Sequence, residues 1–148
     1  MEEDGYVPGI LRSACEEDIT AAYRHPRVMV CSDSVDVTGR PHPRLYASHT
    51  RYLTHYADLS TDKGLAESIY RMTGLPAKVY RMDTVGILAP GKRANITIFD
   101  PAEVKDNATF ENPEVLSDGI RAGFVGGRLS SRDKEVIDAR SGRFYFAR

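Results

Sequence analysis

Three side chains able to take part in hydrolytic chemistry lie close together in the sequence: Asp33, His42 and Arg44. Asp33 ends the run Arg27-Val28-Met29-Val30-Cys31-Ser32-Asp33-Ser34, an apolar segment that stops at a carboxylate. An acid in such a place can act as a general base or bind a metal, and in (β/α) barrels catalytic groups sit where strands end. The competing reading is an acid that caps or orders the following loop. His42 lies between Pro41 and Pro43. It either contributes to a substrate pocket or is a loop histidine bonded to backbone. Arg44 can meet a substrate carboxylate in a bidentate way, or it stays solvated and pairs with a local acid.

The remaining candidates read as structural. His49 falls on the apolar stripe of a helix and is expected in the core. His55 stands about 120° round that helix, so the two do not readily chelate one ion. His25 precedes Pro26 at a helix end, where a partly positive ring suits the dipole. No metal ligands are assigned among the four histidines and two cysteines. Cys15 and Cys31 are too few for a stapled secreted scaffold and are expected to be reduced, buried packing residues. Tyr46, Tyr52 and Tyr56 are expected to pack. Gly86, Gly91 and Gly127 suit turns, since no phosphate-binding glycine pattern followed by Lys-Ser or Lys-Thr occurs.

The elements that must position these groups follow from periodicity and punctuation. Ser13-Ala14-Cys15-Glu16 matches a capping box, with Glu16, Glu17 and Asp18 in the first turn of a helix that ends before Pro26. Val28–Cys31 is apolar on both parities, as in a strand buried on both faces of a parallel sheet. From Pro43 a helix is expected to about Asp58, with Leu45, Tyr46, His49, Tyr52, Leu53 and Tyr56 on one face and Arg51, Thr54 and His55 on the other. Ser60 or Thr61 then caps a third helix with Leu65, Ile69 and Met72 inward. Gly74 closes it and Pro76 opens a further short turn.

After about residue 85 the pattern becomes that of strands. Pro90-Gly91 fits a type II turn. Asn95–Phe99 alternates, Asp100-Pro101 stops it, and residues 102–118 read as a polar excursion. Gly119–Val125 and Arg128–Ser131 flank Gly126-Gly127, a two-residue hairpin turn. Glu135–Ala139 and Arg143–Phe146 are candidate short strands. The fold class read here is mixed α/β, with residues 1–84 as one part and residues 85–148 as a small antiparallel β segment.

Composition bounds the function. With 148 residues the chain suits one domain but is short of the roughly 250 that a TIM barrel takes. Charged residues make up 28% and the net charge is -1, so neither nucleic acid nor an acidic membrane surface is expected as a partner. No apolar run approaches a membrane span. The acidic start Met1-Glu2-Glu3-Asp4 is unlike a secretory signal, and the expected location is cytoplasmic.

Four stretches in order resemble one family. Val28–Ser34 resembles the last barrel strand of the N-acyl-D-amino-acid deacylases, which usually ends Gly-Ser-Asp-Gly. Cys31 and Ser34 stand here in place of its glycines. Pro41-His42-Pro43-Arg44 resembles the His-Pro-Arg that follows, and Met72-Thr73-Gly74-Leu75-Pro76-Ala77 resembles Met-Thr-(Gly/Ser)-Leu-Pro-Ala. Gly86–Asn95 with Phe99-Asp100-Pro101 resembles the stretch that begins the C-terminal β part, with Asn95 where Asp is usual. Gly126-Gly127-Arg128 stands where Asn-Gly-(Arg/Lys) is usual.

The resemblance implies a C-terminal portion of a metal-dependent amidohydrolase: the last barrel strand, its flanking helices and a small β segment. It implies hydrolysis of the acyl amide of N-acyl-D-amino acids, with zinc in the parent family and Asp33 carrying the proton from water to the leaving amine. His42 and Arg44 become candidate substrate-binding residues. The His-x-His or His-x-Asp pair that supplies zinc ligands in that superfamily does not occur in the sequence. This chain alone is therefore expected to bind no zinc and to be inactive, and one alternative is a non-catalytic assembly module. Its apolar faces and strand edge would pair with a second copy or with a chain carrying the rest of the barrel.

Overall fold

A computed structural model describes residues 14–35 and 41–145. Four helices come first: α1 (Glu16–Arg24), α2 (Arg44–His55), α3 (Asp62–Met72) and α4 (Gly74–Val79). One antiparallel sheet follows in the order β1-β2-β3-β4, from β1 (Ile96–Phe99), β2 (Ile120–Val125), β3 (Arg128–Arg132) and β4 (Glu135–Val136). This is the mixed α/β architecture with a small antiparallel sheet that the sequence implies.

The sheet follows its turn chemistry closely. Gly126 and Gly127 both have positive φ, 59° and 83°, so the β2–β3 connection has the backbone of a type I′ hairpin turn, with Val125 opposite Arg128. Asn95 steadies that turn. Its side-chain oxygen accepts the Gly126 N–H at 2.8 Å, while its amide NH₂ donates to the Tyr145 hydroxyl at 3.2 Å. An aspartate has no N–H to donate and could bond that hydroxyl only as an acceptor. Gly91 has φ 82° and the Lys92 N–H reaches the Ala89 carbonyl at 3.1 Å, which is the expected type II turn. Of the other two candidate strands, only Glu135–Val136 forms. Residues 143–145 form no strand, and residue 146 lies outside the described residues.

The helical half departs further from expectation. Val28–Cys31 is not a strand. A strand requires neighbours for its backbone groups, and here the Val28 N–H turns back to the His25 carbonyl at 3.2 Å while the Val30 N–H reaches the Arg71 carbonyl at 3.3 Å. Cys15 occupies the N-cap of α1 without a side-chain bond, and Ser13, the expected cap, lies outside the described residues. Thr61, not Ser60, caps α3, its hydroxyl accepting the Gly64 N–H at 3.0 Å. Gly74 begins α4 and does not act as a left-handed helix stop. Its missing side chain makes room for Tyr70, whose ring would lie 2.7 Å from a Cβ there.

The stripe on α2 is rotated from the one expected. Ala47, Thr50, Tyr52 and Leu53 are buried, whereas Tyr46 and His49 are exposed. On α3 the buried side chains are Ser68 and Arg71, while Leu65, Ile69 and Met72 are half-buried. Cys15 and Cys31 are both exposed thiols, not packing residues, because one caps a surface helix and the other follows the last buried residue of its segment.

Arg71 explains much of how the helices join. Its guanidinium donates to the carbonyls of Tyr23 at 2.9 Å and His25 at 2.7 Å, and to Glu67 at 2.8 Å. A buried, permanently charged group thus satisfies carbonyls that the end of α1 leaves open. Tyr23 also stacks against Tyr52 and Tyr56, with ring centres 4.9 and 5.1 Å apart. The core built on these contacts is small. Val30, Tyr52, Leu53 and Val104 form its buried centre, and Phe99 and Ile120 pack on it from the sheet side.

Candidate functional site

Asp33, His42 and Arg44 meet at the N-terminal end of α2. Asp33 has φ 48°, a left-handed conformation that a short polar side chain tolerates. Its carboxylate faces the Arg44 guanidinium at 3.2 Å. The Asp33 side chain is 83% exposed, so the pair is solvent-screened and contributes about 0–1 kcal/mol at most. The Ser34 hydroxyl donates to the Arg44 carbonyl at 2.9 Å, which ties the loop to the first turn of the helix.

His42 reaches the same turn from the other side. The Arg44 backbone N–H donates to its Nδ1 at 3.0 Å, so Nδ1 carries the lone pair and a neutral ring holds its proton on Nε2. Burial, and then the Arg44 charge, lower the pKa of His42 from the ordinary 6.5. The edge of one ring also meets the face of another, Phe110, with centres 5.1 Å apart and planes at 82°. Of the two sequence readings of His42, a histidine bonded to backbone is the one the geometry displays. Arg44 likewise pairs with a local acid.

Sequence reasoning missed the opposite end of α2. There the excursion between β1 and β2 delivers Asp106, a carboxylate only 9% exposed, to three donors. These are Arg51 at 3.1 Å, His55 at 3.0 Å and Thr54 at 3.2 Å. Burial raises the pKa of Asp106, but the bonds from His55 and Arg51, the His55 charge and the Thr54 bond outweigh it. The carboxyl is held below the ordinary 3.8. Nearby, Thr50 and Ser117 share a buried hydroxyl–hydroxyl bond of 2.6 Å. An open cleft of about 560 Å³ runs between Arg51, Thr54 and His55 on α2 and residues 102–109 of the excursion. The expected polar face of α2 is thus a seam between the two halves. The excursion, read as polar, buries Val104, Ala108, Pro113 and Ser117. Val104 and the lone aromatic, Phe110, are the sequence signals that it touches something.

Among the described residues no three His, Cys, Asp or Glu side chains converge where a metal ion would bind. The zinc implied by the resemblance therefore does not find a ligand set within them. No helix among them is long and apolar enough to cross a membrane.

A model of the amidohydrolase family matches residues 16–130, which include the loop with Asp33, all four helices and most of the sheet. The chain belongs to that family. An N-acyl-D-aspartate deacylase of Alcaligenes xylosoxydans xylosoxydans is 36% identical over 113 residues, which are 76% of this chain and 23% of the relative. A D-aminoacylase of the same organism is 34% identical over 131 residues, 86% of this chain and 26% of the relative. A solved D-aminoacylase structure superposes with a TM-score of 0.79 at 35% identity, covering 87% of this chain and 27% of that one. An N-acyl-D-glutamate deacylase from Bordetella bronchiseptica, solved with zinc and a phosphonate mimic of the tetrahedral intermediate, gives 0.77 at 36%, with the same coverage. This amidohydrolase chain spans about a quarter of the length of the relatives it matches.

Proposed function

We propose that this chain is the C-terminal portion of a zinc-dependent amidohydrolase that cleaves the acyl amide of N-acyl-D-amino acids. In this reading residues 1–84 are the end of a (β/α) barrel, residues 85–148 a C-terminal β segment, and Asp33 the proton carrier. The observation that carries it is the convergence of Asp33, His42 and Arg44 at one helix end, within a backbone shared with two deacylases. Asp33 is exposed and free to exchange protons with water. In hydrolysis it accepts the proton of the attacking water and returns it to the leaving amine. Arg44 sits within reach to hold a substrate carboxylate, and His42, bonded to the first backbone N–H of α2, fixes the turn that presents it. The zinc ligands belong to the remainder of the parent enzyme, so the isolated chain is silent.

Two assays test this. The purified chain with zinc and N-acetyl-D-methionine, -aspartate or -glutamate should show no turnover above buffer. Residues 14–145 grafted in place of the matching segment of a D-aminoacylase should give an active enzyme that Asp33→Asn silences. An active graft that ignores Asp33→Asn would refute the proton-carrier role.

A second reading, an assembly module, is favoured by the thin core. No large side chain among the described residues is fully buried, while Val79, Tyr80, Ile87 and Leu88 are each at least half exposed. Such surface recruits a cover, here a second copy or a chain carrying the rest of the barrel. Native mass by light scattering decides, and a monodisperse monomer that binds no apolar dye would count against it.

A further inference from the structure

We propose that Phe110 is a positioning residue for the Asp33–Arg44 pair, acting from the β half through the His42 ring. The inference rests on the reading of Asp33, His42 and Arg44 as the site.

Four observations carry it. Phe110 sits at the tip of a turn closed from both sides. The Thr109 N–H donates to the Asn112 carbonyl at 3.1 Å, and the Asn112 N–H donates to the Thr109 hydroxyl at 3.0 Å. The excursion that bears this turn is fastened to the far end of α2 by Asp106 and to its middle by the Thr50–Ser117 bond. It is also fastened to its own base, because the Asn107 side chain donates to Asp118 at 2.9 Å and to the Leu116 carbonyl at 3.2 Å. The Phe110 ring then meets His42 edge to face. In that geometry the positive edge of one ring lies against the negative face of the other, which fixes ring orientation as well as separation.

The orientation matters because His42 has one task in this fold. Its Nδ1 must point at the Arg44 N–H, an open donor in the first turn of α2. A ring free to flip would release that donor, and the residue released is the one whose guanidinium faces Asp33. The excursion therefore grips α2 at the Asp106 end and at the His42 end, and the second grip sets where Arg44 stands. Phe110 is 41% exposed, so it adds little to the core.

The test uses the chain as it is, with ¹⁵N signals of the His42 imidazole recorded against pH. The charged group acting on that ring is Arg44, which is the same in every variant. Wild type should show the tautomer with Nδ1 unprotonated and a titration midpoint below the ordinary histidine value. Phe110→Leu keeps apolar volume but removes the ring. It should average the tautomer signals and move the midpoint up toward the ordinary value, with the melting temperature nearly unchanged. Phe110→Tyr should restore the wild-type signature. Thr109→Val, which removes the acceptor closing the turn while leaving Phe110 in place, should move the signals the same way by a smaller amount. Unchanged His42 signals in both Phe110→Leu and Thr109→Val would overturn the proposal. The readout is the ring itself and not turnover. A graft indifferent to Asp33→Asn would refute the proton-carrier reading and leave this result standing.

Discussion

The sheet half and the helical half of this chain are held together by different means. From β1 to β4 the cohesion is backbone to backbone, with a tight turn at Gly126-Gly127 and register shifts at Arg121 in β2 and Ser130 in β3. Between α1 and α4 it is side chain to backbone: Arg71 on two carbonyls, Thr61 on the start of α3, His42 on the start of α2. A ladder repeats the same bond and tolerates the loss of one rung, whereas a staple is a single point of failure. The comparison teaches where this protein is fragile, and the following substitutions probe it.

The largest effect is expected at Arg71. Arg71→Met removes a buried guanidinium and its bonds to the carbonyls of Tyr23 and His25, and should cost about 4 kcal/mol, read as a shift of the urea midpoint. A loss below about 1 kcal/mol would mean that the α1–α3 junction does not depend on this staple. Gly119→Ala attacks the base of the excursion. A side chain there adopts φ 78° and meets the Val104 backbone at 2.5 Å, so about 3 kcal/mol is expected. Gly91→Ala is the control. It has positive φ but nothing within 4 Å, so only the conformational term of about 1–2 kcal/mol applies. Equal losses at the two glycines would show that the tight approach to Val104 is unimportant.

Asp106→Ala removes the seam between the halves and is expected to cost about 2 kcal/mol at neutral pH. The sign of its pH dependence follows from its lowered pKa. The folded state holds the charged form, so this stability is present above the ordinary 3.8 and is lost as pH falls through the lower folded value. His42 acts in the same direction at higher pH. Its pKa is lowered by burial, so the unfolded chain takes up the proton first and stability declines as pH falls below about 6.5. Denaturant titrations of wild type and Asp106→Ala should therefore converge in acid, and curves that stay parallel down to pH 3 would contradict the assignment. The smallest effect belongs to Asp33→Ala, within about 1 kcal/mol, because the ion pair it breaks lies in water.

Legibility in the sequence followed the same division. The hairpin at Gly126-Gly127 and the turn at Pro90-Gly91 were readable because glycine at those positions answers a local demand for positive φ. The helices were readable in place but not in facing. Which side of α2 is buried depends on Val104 and Ser117, more than fifty residues away in sequence, and no periodicity encodes that. Val28–Cys31 has the composition of a central strand and lacks the neighbours that would make it one. Asp33, His42 and Arg44 were found together because they are adjacent in sequence. Asp106 and Phe110 were not, since each is an ordinary residue of a polar loop until α2 lies against it.

Arg71 has one more consequence, for the order in which the protein comes apart in acid. Two of the groups that join α2 to the excursion or cap its start, Asp106 and His42, change charge as pH falls, and the Thr50–Ser117 bond does not. The guanidinium of Arg71 stays protonated throughout, and the carbonyls it binds do not titrate. Acid therefore loosens the Asp106 and His42 ends of α2, leaving the excursion held at its middle by Thr50–Ser117, while the Arg71 bonds between α1 and α3 are untouched. The species left at low pH keeps its α1–α3 pair, and its first protease-sensitive bonds lie in the excursion at residues 102–118.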